Sequence, residues 1–369
     1  MKLLGGMALG ALASAVVLHL IAPSHRGPHT RLVAEDASAP LSRVAIHYAP
    51  SSDQVALGVW RQLFAVLPPE VEVDVEVAAA GDFDRFKHLM AADGHVDRHL
   101  GRFHPVIVGT TITTWSRDRY AALVDDAGHG SILAPPRLEA PTPARAGDAR
   151  SPFAISRALY DREPLVADIV FEGGDLAATP NLVFADVNLA GRNVGHGPAD
   201  RASIEREIHS RLAQHLVWLG DAVGDVPRHH IMMYMMPIDD HTVAVGDIRA
   251  GVALLGDTPL SLDDVDVEAA RFDHAAEQLA HQGFKVVRVP ALVRAGAGSY
   301  VTYTNALFDK RGDKRIIYMP TYALPALDEA GRKFWESQGF EVHPIDVSPI
   351  YHLNGSLGCL VNVLARATE

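Results

Sequence analysis

The chain contains a single cysteine, and its position makes it a candidate nucleophile. Cys359 stands where a turn rich in Gly, Ser and Asn (residues 354–358) runs into the apolar segment 359–364, which is predicted to be a buried strand. The glycine beside the thiol gives the backbone room for a substrate. A lone cysteine is by default a small buried hydrophobe, whereas one with histidine and carboxylate partners elsewhere in the chain is typical of a nucleophile. The next question is therefore whether such partners exist.

Four short motifs supply candidate partners, each at the end of a predicted strand. They are residues 113–120, with Trp115, Arg117 and Asp118; residues 171–175, with Glu172, Gly173 and Gly174; residues 229–237, with His230 and Met232; and residues 300–306, with Asn305. The two glycines let a ligand or another backbone approach the carboxylate before them. A histidine that leads into an apolar strand is more often a core residue than a catalyst. Neighbouring strand residues point to opposite faces, so His229 and His230 are not expected to share a metal ion.

The elements that must position these motifs recur along the chain. Apolar spacing predicts helices over residues 54–67, 200–220, 267–281 and 328–338 and strands over residues 44–48, 71–77, 106–111, 169–171, 182–184, 242–245, 284–289, 300–308, 315–319 and 340–345. The last two helices end at Gly283 and Gly339, each inside the same Gln-Gly-Phe tripeptide. A helix, a glycine and then a strand, occurring several times, predicts a repeated αβ module. Residues 134–152 are rich in Pro, Ala and Arg and are predicted to be a surface loop, either a mobile insertion or a lid.

Composition and charge exclude several classes of function. The net charge of −12 argues against a nucleic-acid or anionic-membrane partner and favours a cationic substrate. One cysteine excludes an internal disulfide framework and a cysteine-rich metal site. The nineteen histidines show no metal-ligand spacing, so no metal is predicted, and nothing in the sequence indicates an organic cofactor.

The first residues predict export. After Lys2, residues 3–22 are almost entirely apolar, and a polar stretch containing prolines follows. Residues 1–22 are therefore interpreted as a signal peptide or a membrane anchor, residues 23–43 as a linker, and residues 44–369 as one domain. The protein is expected to be periplasmic, extracellular or anchored to the outer face of the membrane, with no other membrane contact.

The motifs and their order resemble the guanidino-modifying (pentein) superfamily, and most closely agmatine deiminase and the bacterial type of peptidylarginine deiminase. The likeness runs from about residue 44 to Arg366 and includes Trp115-Ser-Arg-Asp, Glu172-Gly-Gly, a histidine before a strand, Asn305 and the terminal turn into Cys359. It implies an α/β fold, the five-bladed αβ propeller built from repeated ββαβ-like units. This fold also accounts for the repeated αβ module.

The resemblance also implies a role for each matching residue. Cys359 would be the nucleophile and His230 the general acid and base, while Asp118 and Glu172 would hold a guanidinium or orient the histidine. Trp115, Arg117, Gly173, Gly174, Asn305 and Met232 would bind the substrate. Carboxylates suit this chemistry because they accept paired N–H groups from a planar cation, and a thiolate is a strong nucleophile.

The sequence departs from the family pattern at two positions. Met232 stands where the deiminases normally have an aspartate two residues after the catalytic histidine, and Gly358 stands where agmatine deiminase commonly has a histidine. Residues two apart on a strand share a face, so His230 and Met232 are expected on one face, where a guanidinium-binding carboxylate is then missing. An N-substituted guanidine, with fewer N–H groups, would tolerate methionine better.

Together, the motifs and the family resemblance that they carry predict a C–N hydrolase that deiminates a linear amidine. The substrate would be peptidyl-arginine or a small arginine-like or agmatine-like molecule, and the reaction would pass through a covalent thiouronium intermediate. Two alternatives remain. One is a catalytically inactive pentein that binds a guanidino ligand, and the other is an amidinotransferase, which uses the same nucleophile and histidine with a different acceptor.

Overall fold

Five small sheets make up the fold. The computed structural model describes residues 29–367, apart from residue 93, residues 137–144 and residue 297. Within these ranges, eighteen strands form five sheets of three or four strands. Every sheet contains an antiparallel pair, a helical crossover and a third strand that is parallel to its neighbour. Five ββαβ-like units confirm the predicted five-bladed αβ propeller.

The strands and helices have the following bounds. Within each sheet the strands are named in the order in which they are hydrogen-bonded. The first sheet contains Thr30–Leu32, Ala121–Asp125, Gly130–Ala134 and Leu165–Val166, and the second contains His215–Leu219, Leu182–Asp186 and Ala177–Ala178. The third contains Met235–Pro237, Thr242–Asp247, Lys285–Val293 and Tyr300–Thr302, the fourth Leu307–Arg311, Lys314–Thr321 and Phe340–Asp346, and the fifth Val361–Arg366, Leu41–His47, Glu72–Val77 and Phe103–Ile107. The α-helices are Asp53–Val66, Ala80–Ala91, Gly94–Asp97, Ser151–Tyr160, Val187–Asn193, Arg201–Arg211, Ile248–Leu255, Val265–His281, Pro325–Ser337 and Leu357–Leu360.

The fifth sheet joins the two ends of the described chain. Its last strand, Val361–Arg366, pairs antiparallel with Leu41–His47, which in turn pairs parallel with Glu72–Val77. The turn that carries Cys359 is therefore anchored to a strand from the start of the fold. Val44, Ala45 and Ile46 on that strand are fully buried, as expected for a strand covered on both faces.

The helix terminations read from the sequence are present in the structure. Val265–His281 and Pro325–Ser337 are each followed by a glycine in the left-handed region, with φ of 94° at Gly283 and 82° at Gly339. Residues with a Cβ adopt this conformation at a cost, which explains glycine at both places.

One predicted helix is too long. The helix that begins after Asp200 ends at Arg211, and Leu212 is already extended. Leu216 belongs instead to the strand His215–Leu219, which pairs parallel with Leu182–Asp186. The helical spacing of the apolar residues continues into this strand by coincidence, because a buried strand is apolar at every position.

Three further predictions about local structure need correction. Residues 169–171 are buried but do not form a strand. Residues 300–308 divide into two strands that belong to different sheets. The predicted surface loop 134–152 contains, over its described part, a 3₁₀ turn at Ala146–Arg150 and the start of a helix at Ser151, while residues 137–144 lie outside the described residues.

The described part of the predicted linker 23–43 is folded. Thr30–Leu32 is an edge strand that pairs with Ala121–Asp125, and Glu35 is buried in an ion pair with Arg117. The polar composition of this segment is typical of a linker, but the charged Glu35 can be buried in the fold because it is paired with Arg117. The predicted signal or anchor, residues 1–22, lies outside the described residues. Among the helices of the described ranges, none combines the length and the apolar character needed to cross a membrane.

Candidate active site

The cysteine lies in a short helical turn at the start of the last strand. Cys359 is part of Leu357–Leu360 and is only 3% exposed. Its Sγ lies 3.5 Å from Nδ2 of Asn305, which can donate a hydrogen bond, and 4.0 Å from Sδ of Met233. A Cβ at Gly358 would lie 2.9 Å from Oδ1 of Asn305, so the glycine allows the amide to reach the thiol.

Asp118 ends a 3₁₀ turn, Ser116–Asp118, that follows the edge strand Phe103–Ile107 of the fifth sheet. Its Oδ2 accepts a 2.5 Å hydrogen bond from the Arg145 guanidinium, while its buried Oδ1 has no hydrogen-bond partner among the described residues. Burial, together with the negative charge of Glu172, raises the pKa of Asp118 to about 6 even though His230 and Arg145 oppose the rise. One acceptor atom is thus available beside the cavity.

Glu172 and His230 form a buried, hydrogen-bonded pair. Glu172 Oε2 lies 2.9 Å from Nε2 of His230, and the Glu172 N–H donates to Asp175 Oδ2 at 2.8 Å, which fixes the turn. Burial works against the charged carboxylate, but its hydrogen bond with His230 and the charges of His230, Arg192 and Arg145 outweigh it and lower the pKa of Glu172 to about 2. Glu172 is therefore a permanent anion at neutral pH.

The imidazole of His230 is held in its charged form. Burial disfavours that form, but the interactions with the Cys359 sulfur and with Glu172, followed by the charge of Asp118, raise the pKa of His230 well above its ordinary value. His229 behaves differently, because burial and the charge of His230 lower its pKa to about 3.

The structure places both histidines at the same cavity, contrary to the expectation from a strand. His229 has a left-handed backbone with φ of 79°, and His230 precedes a 3₁₀ turn, Ile231–Met233, instead of lying on a strand. Their rings are 4.6 Å apart and nearly perpendicular. Side chains of neighbouring residues alternate between opposite faces only in an extended backbone, and the backbone at His229 is not extended.

One cavity brings the predicted catalytic residues together. It has a volume of about 360 Å³ and is lined by Thr113, Trp115, Asp118, Arg145, Glu172, His229, His230, Leu353, Asn354 and Cys359. The four residues predicted to be catalytic and Trp115 therefore meet, although they come from four separate parts of the chain.

The other residues predicted to bind substrate lie behind the cavity wall. The side chain of Arg117 pairs with Glu35 and donates to the carbonyl oxygen of Leu176. A Cβ at Gly173 would collide with the Arg117 carbonyl oxygen, and one at Gly174 would collide with the imidazole of His230. The two glycines thus permit close packing around the histidine.

Asn305 and Met232 also lie behind the wall, next to the nucleophile turn. Asn305 is 1% exposed and Met232 is 4% exposed. Met232 lies in the 3₁₀ turn, so it does not share a strand face with His230 as expected. Its Cε is 3.3 Å from where a Cβ at Gly358 would be. The two departures from the deiminase pattern are therefore neighbours in space, where the methionine fills volume that a side chain at position 358 would need.

Three arginines that the sequence reading missed surround the carboxylates. Arg119 is 2% exposed and lies 3.4 Å from Asp148 and 3.6 Å from Glu172. Arg192 pairs with Asp175 at 2.8 Å and lies 3.3 Å from Glu172. Arg145 bridges Asp118 and Glu172. Arg119 follows Asp118 directly in its motif, and Arg145 belongs to the arginine-containing segment 134–152 that was predicted to be an insertion or a lid, so both had an available signal. Nothing in the local sequence marks Arg192.

Only one group in the described part of the chain has the geometry to hold a metal ion. Asp118, Glu172 and His230 each offer one ligand atom, and these atoms lie within 4.8 Å of one another. Guanidinium groups of Arg145 and Arg192 already lie 2.5 Å from Asp118 and 3.3 Å from Glu172, respectively. The positive charge that a metal ion would contribute is thus supplied by arginine.

Comparison with solved structures agrees with this architecture. No protein-family model matches the chain, and a search of curated proteins finds no match. A cysteine-to-serine variant of agmatine deiminase from C. jejuni with substrate bound is 17% identical, with a TM-score of 0.65 over 92% of this chain and 98% of that one. The C. jejuni agmatine deiminase itself is 17% identical with a TM-score of 0.63 over the same shares. An Enterococcus faecalis agmatine deiminase is 14% identical, with a TM-score of 0.65 over 92% and 96%. The resemblance predicted from the sequence is confirmed at the level of the fold.

Proposed function

We propose that this protein is a cysteine-dependent hydrolase that converts a guanidino group into a ureido group. The observation that carries the proposal is the convergence of Cys359, the His230–Glu172 pair and Asp118 on one cavity. A thiol, an acid–base group and two carboxylates are the set that deimination requires. The fold likeness to agmatine deiminases supports the same chemistry.

Binding would use the carboxylates. A guanidinium presents N–H groups in a fixed plane, and Asp118 and Glu172 would accept them and orient the central carbon toward Cys359. Asp118 must be ionised to do this, so guanidinium binding is expected to weaken as the pH falls below about 6. Glu172, with its pKa of about 2, stays charged through this range.

The first half of the reaction would form a covalent intermediate. The Cys359 thiolate attacks the guanidinium carbon and forms an S–C bond, which gives a tetrahedral adduct. The C–N bond then breaks, and His230 donates its proton to the departing ammonia or amine. What remains on the enzyme is a thiouronium cation, and His230 is now neutral.

The second half would release the product. Neutral His230 takes a proton from water, the resulting hydroxide attacks the thiouronium carbon, and the S–C bond breaks to regenerate the thiolate. The hydroxyl proton of this adduct passes to solvent, where the released ammonia or amine takes up a proton. The products are a ureido compound and ammonium or an alkylammonium ion. Glu172 keeps His230 oriented and stabilises its charged form in both halves.

The test is formation of ureido product by the purified protein. Arginine, agmatine, N-methylarginine and an arginine-containing peptide would be compared, with Cys359→Ser measured beside the wild type. We expect turnover of at least one compound by the wild type and none by the variant. Undiminished turnover by Cys359→Ser would reject the thiol mechanism.

The same experiment separates the two alternatives. An amidinotransferase would need an amine acceptor and would yield a new guanidine rather than a ureido product. A protein that only binds would show thermal stabilisation by agmatine or arginine without product. The binding-only alternative is the one that Met232 favours, because methionine stands where the deiminases normally have an aspartate.

We also propose that residues 1–22 direct export, since their apolar composition fits a signal peptide or anchor. An alkaline phosphatase fused after residue 43, which is active only outside the cytoplasm, tests this in bacteria. Phosphatase activity that is lost on deletion of residues 3–22 is expected. Activity without those residues would contradict the proposal.

A further inference from the structure

The three arginines around the carboxylates differ in exposure. The side chain of Arg119 is 2% exposed and that of Arg192 is 15% exposed, and each has its own carboxylate behind the site, Asp148 and Asp175 respectively. The side chain of Arg145 is 34% exposed, and it is the only one of the three that lines the cavity. Arg119 and Arg192 are thus fixed counter-ions, whereas Arg145 reaches the carboxylates from the cavity side.

The contacts of Arg145 are those that a guanidino ligand would make. Its terminal nitrogen lies 2.5 Å from Asp118 Oδ2 and 3.2 Å from Glu172 Oε1. Both oxygens belong to the carboxylates that the proposed function assigns to the substrate. Of the two Asp118 oxygens, only Oδ1 has no hydrogen-bond partner among the described residues. Arg119 also approaches these two oxygens, at 3.7 Å and 3.6 Å, but only Arg145 lies at hydrogen-bonding distance from both. A substrate guanidinium that hydrogen-bonds to the same pair from the cavity side must therefore displace Arg145.

We propose that Arg145 is an internal competitor, whose guanidinium holds the substrate carboxylates until a substrate guanidinium displaces it. The inference rests on the proposed function for the identity of the ligand. Arg119 and Arg192 stay beside the carboxylates in either case, and exchange of one guanidinium for another leaves the positive charge on Asp118 and Glu172 unchanged. The partial exposure of Arg145 gives its charged end access to solvent when it leaves, which the buried Arg119 lacks.

Removing the competitor should strengthen guanidinium binding. Arg145 is held by charge-assisted hydrogen bonds from a partly exposed side chain, which are stronger than neutral ones but weakened by solvent. A tenfold change in affinity corresponds to about 1.4 kcal/mol. We therefore expect Arg145→Ala to lower the KM of the substrate and the inhibition constant of free guanidinium ion by roughly tenfold.

The experiment uses guanidinium chloride at low millimolar concentration as the probe, at pH 8, where Asp118 is ionised in the wild type. Inhibition and KM would be measured for the wild type, Arg145→Ala and Arg145→Lys, with Arg157→Ala as a control, because Arg157 pairs with Glu163 on the surface. Lysine keeps the charge but lacks the planar fork, so an intermediate affinity is expected. The control should match the wild type. Circular dichroism and melting temperature would establish that each variant is folded.

Two results would overturn the inference. A higher KM in Arg145→Ala would mean that the arginine helps to hold the substrate, and an unchanged KM with a lower kcat would mean that it acts in the chemical step. Calorimetric binding of agmatine to Cys359→Ser, with and without Arg145→Ala, separates this inference from the proposed function. Tighter binding without turnover by any Cys359-containing form supports the competitor and rejects the hydrolase. Turnover by the Cys359-containing forms, together with equal agmatine affinities with and without Arg145→Ala, supports the hydrolase and rejects the competitor.

Discussion

Asp118→Asn is expected to stabilise the protein at pH 8 while removing its activity. Burial, and after it the charge of Glu172, raises the pKa of Asp118 from 3.8 to about 6. Each pKa unit corresponds to about 1.4 kcal/mol, so a rise of roughly two units means that the ionised carboxylate costs the folded state about 3 kcal/mol at pH 8. Asparagine cannot ionise and avoids that cost. Because it is neutral, it also cannot neutralise a substrate guanidinium.

The sign of the effect sets its pH dependence. The pKa of Asp118 is higher in the folded protein than in the unfolded chain, so the destabilisation is fully present above about pH 6. It is relieved as the pH falls toward 3.8, because the folded state takes up the proton first. At pH 4 the advantage of asparagine should fall below about 1 kcal/mol.

Urea denaturation at pH 8 and pH 4 measures the free energy of unfolding, and the ureido assay at pH 8 measures activity. Asp126→Asn is the matched control, because the Asp126 side chain is 50% exposed beside Arg31 and should alter stability little at either pH. A less stable Asp118→Asn at pH 8 would refute the reasoning. It would mean that the ion pair with Arg145 outweighs burial and the repulsion from Glu172.

Three further predictions concern the acid–base pair and the nucleophile. Glu172→Gln should lower the pKa of His230, because it removes a carboxylate that stabilises the imidazolium; an NMR titration of the ring protons that shows no downward change would contradict this. Gly174→Ala should abolish activity, because its Cβ would collide with that imidazole, whereas Gly58→Ala, with nothing within 4 Å, should leave activity unchanged. Asn305→Ala should lower kcat but not KM, since the Asn305 amide contacts the Cys359 sulfur and not the cavity. It should also alter the rate at which iodoacetamide alkylates that thiol. A change in KM alone would assign Asn305 to substrate binding.

Much of the local structure followed from residue type. Glycines at positions 283 and 339 end helices in the left-handed conformation, and most apolar runs became strands, although the run predicted at 106–111 is a strand only over Phe103–Ile107 and residues 169–171 form none. These features depend on steric limits and burial within a few residues. Such local rules do not locate the boundary between two elements that share one apolar pattern, as between the helix Arg201–Arg211 and the strand His215–Leu219.

The sequence by itself determined which residues could do chemistry: one thiol, a histidine before an apolar segment, a carboxylate followed by two glycines and another three residues after a tryptophan. The tertiary structure decided how they are arranged. Pairing of Val361–Arg366 with Leu41–His47 brings together residues more than three hundred positions apart, and no local pattern encodes such a contact. For the same reason, only the fold placed Arg145 on Asp118 and packed Met232 against the space beside Gly358. Ion pairing and packing depend on which residues are close in space, whereas secondary-structure propensity depends on which residues are neighbours along the chain.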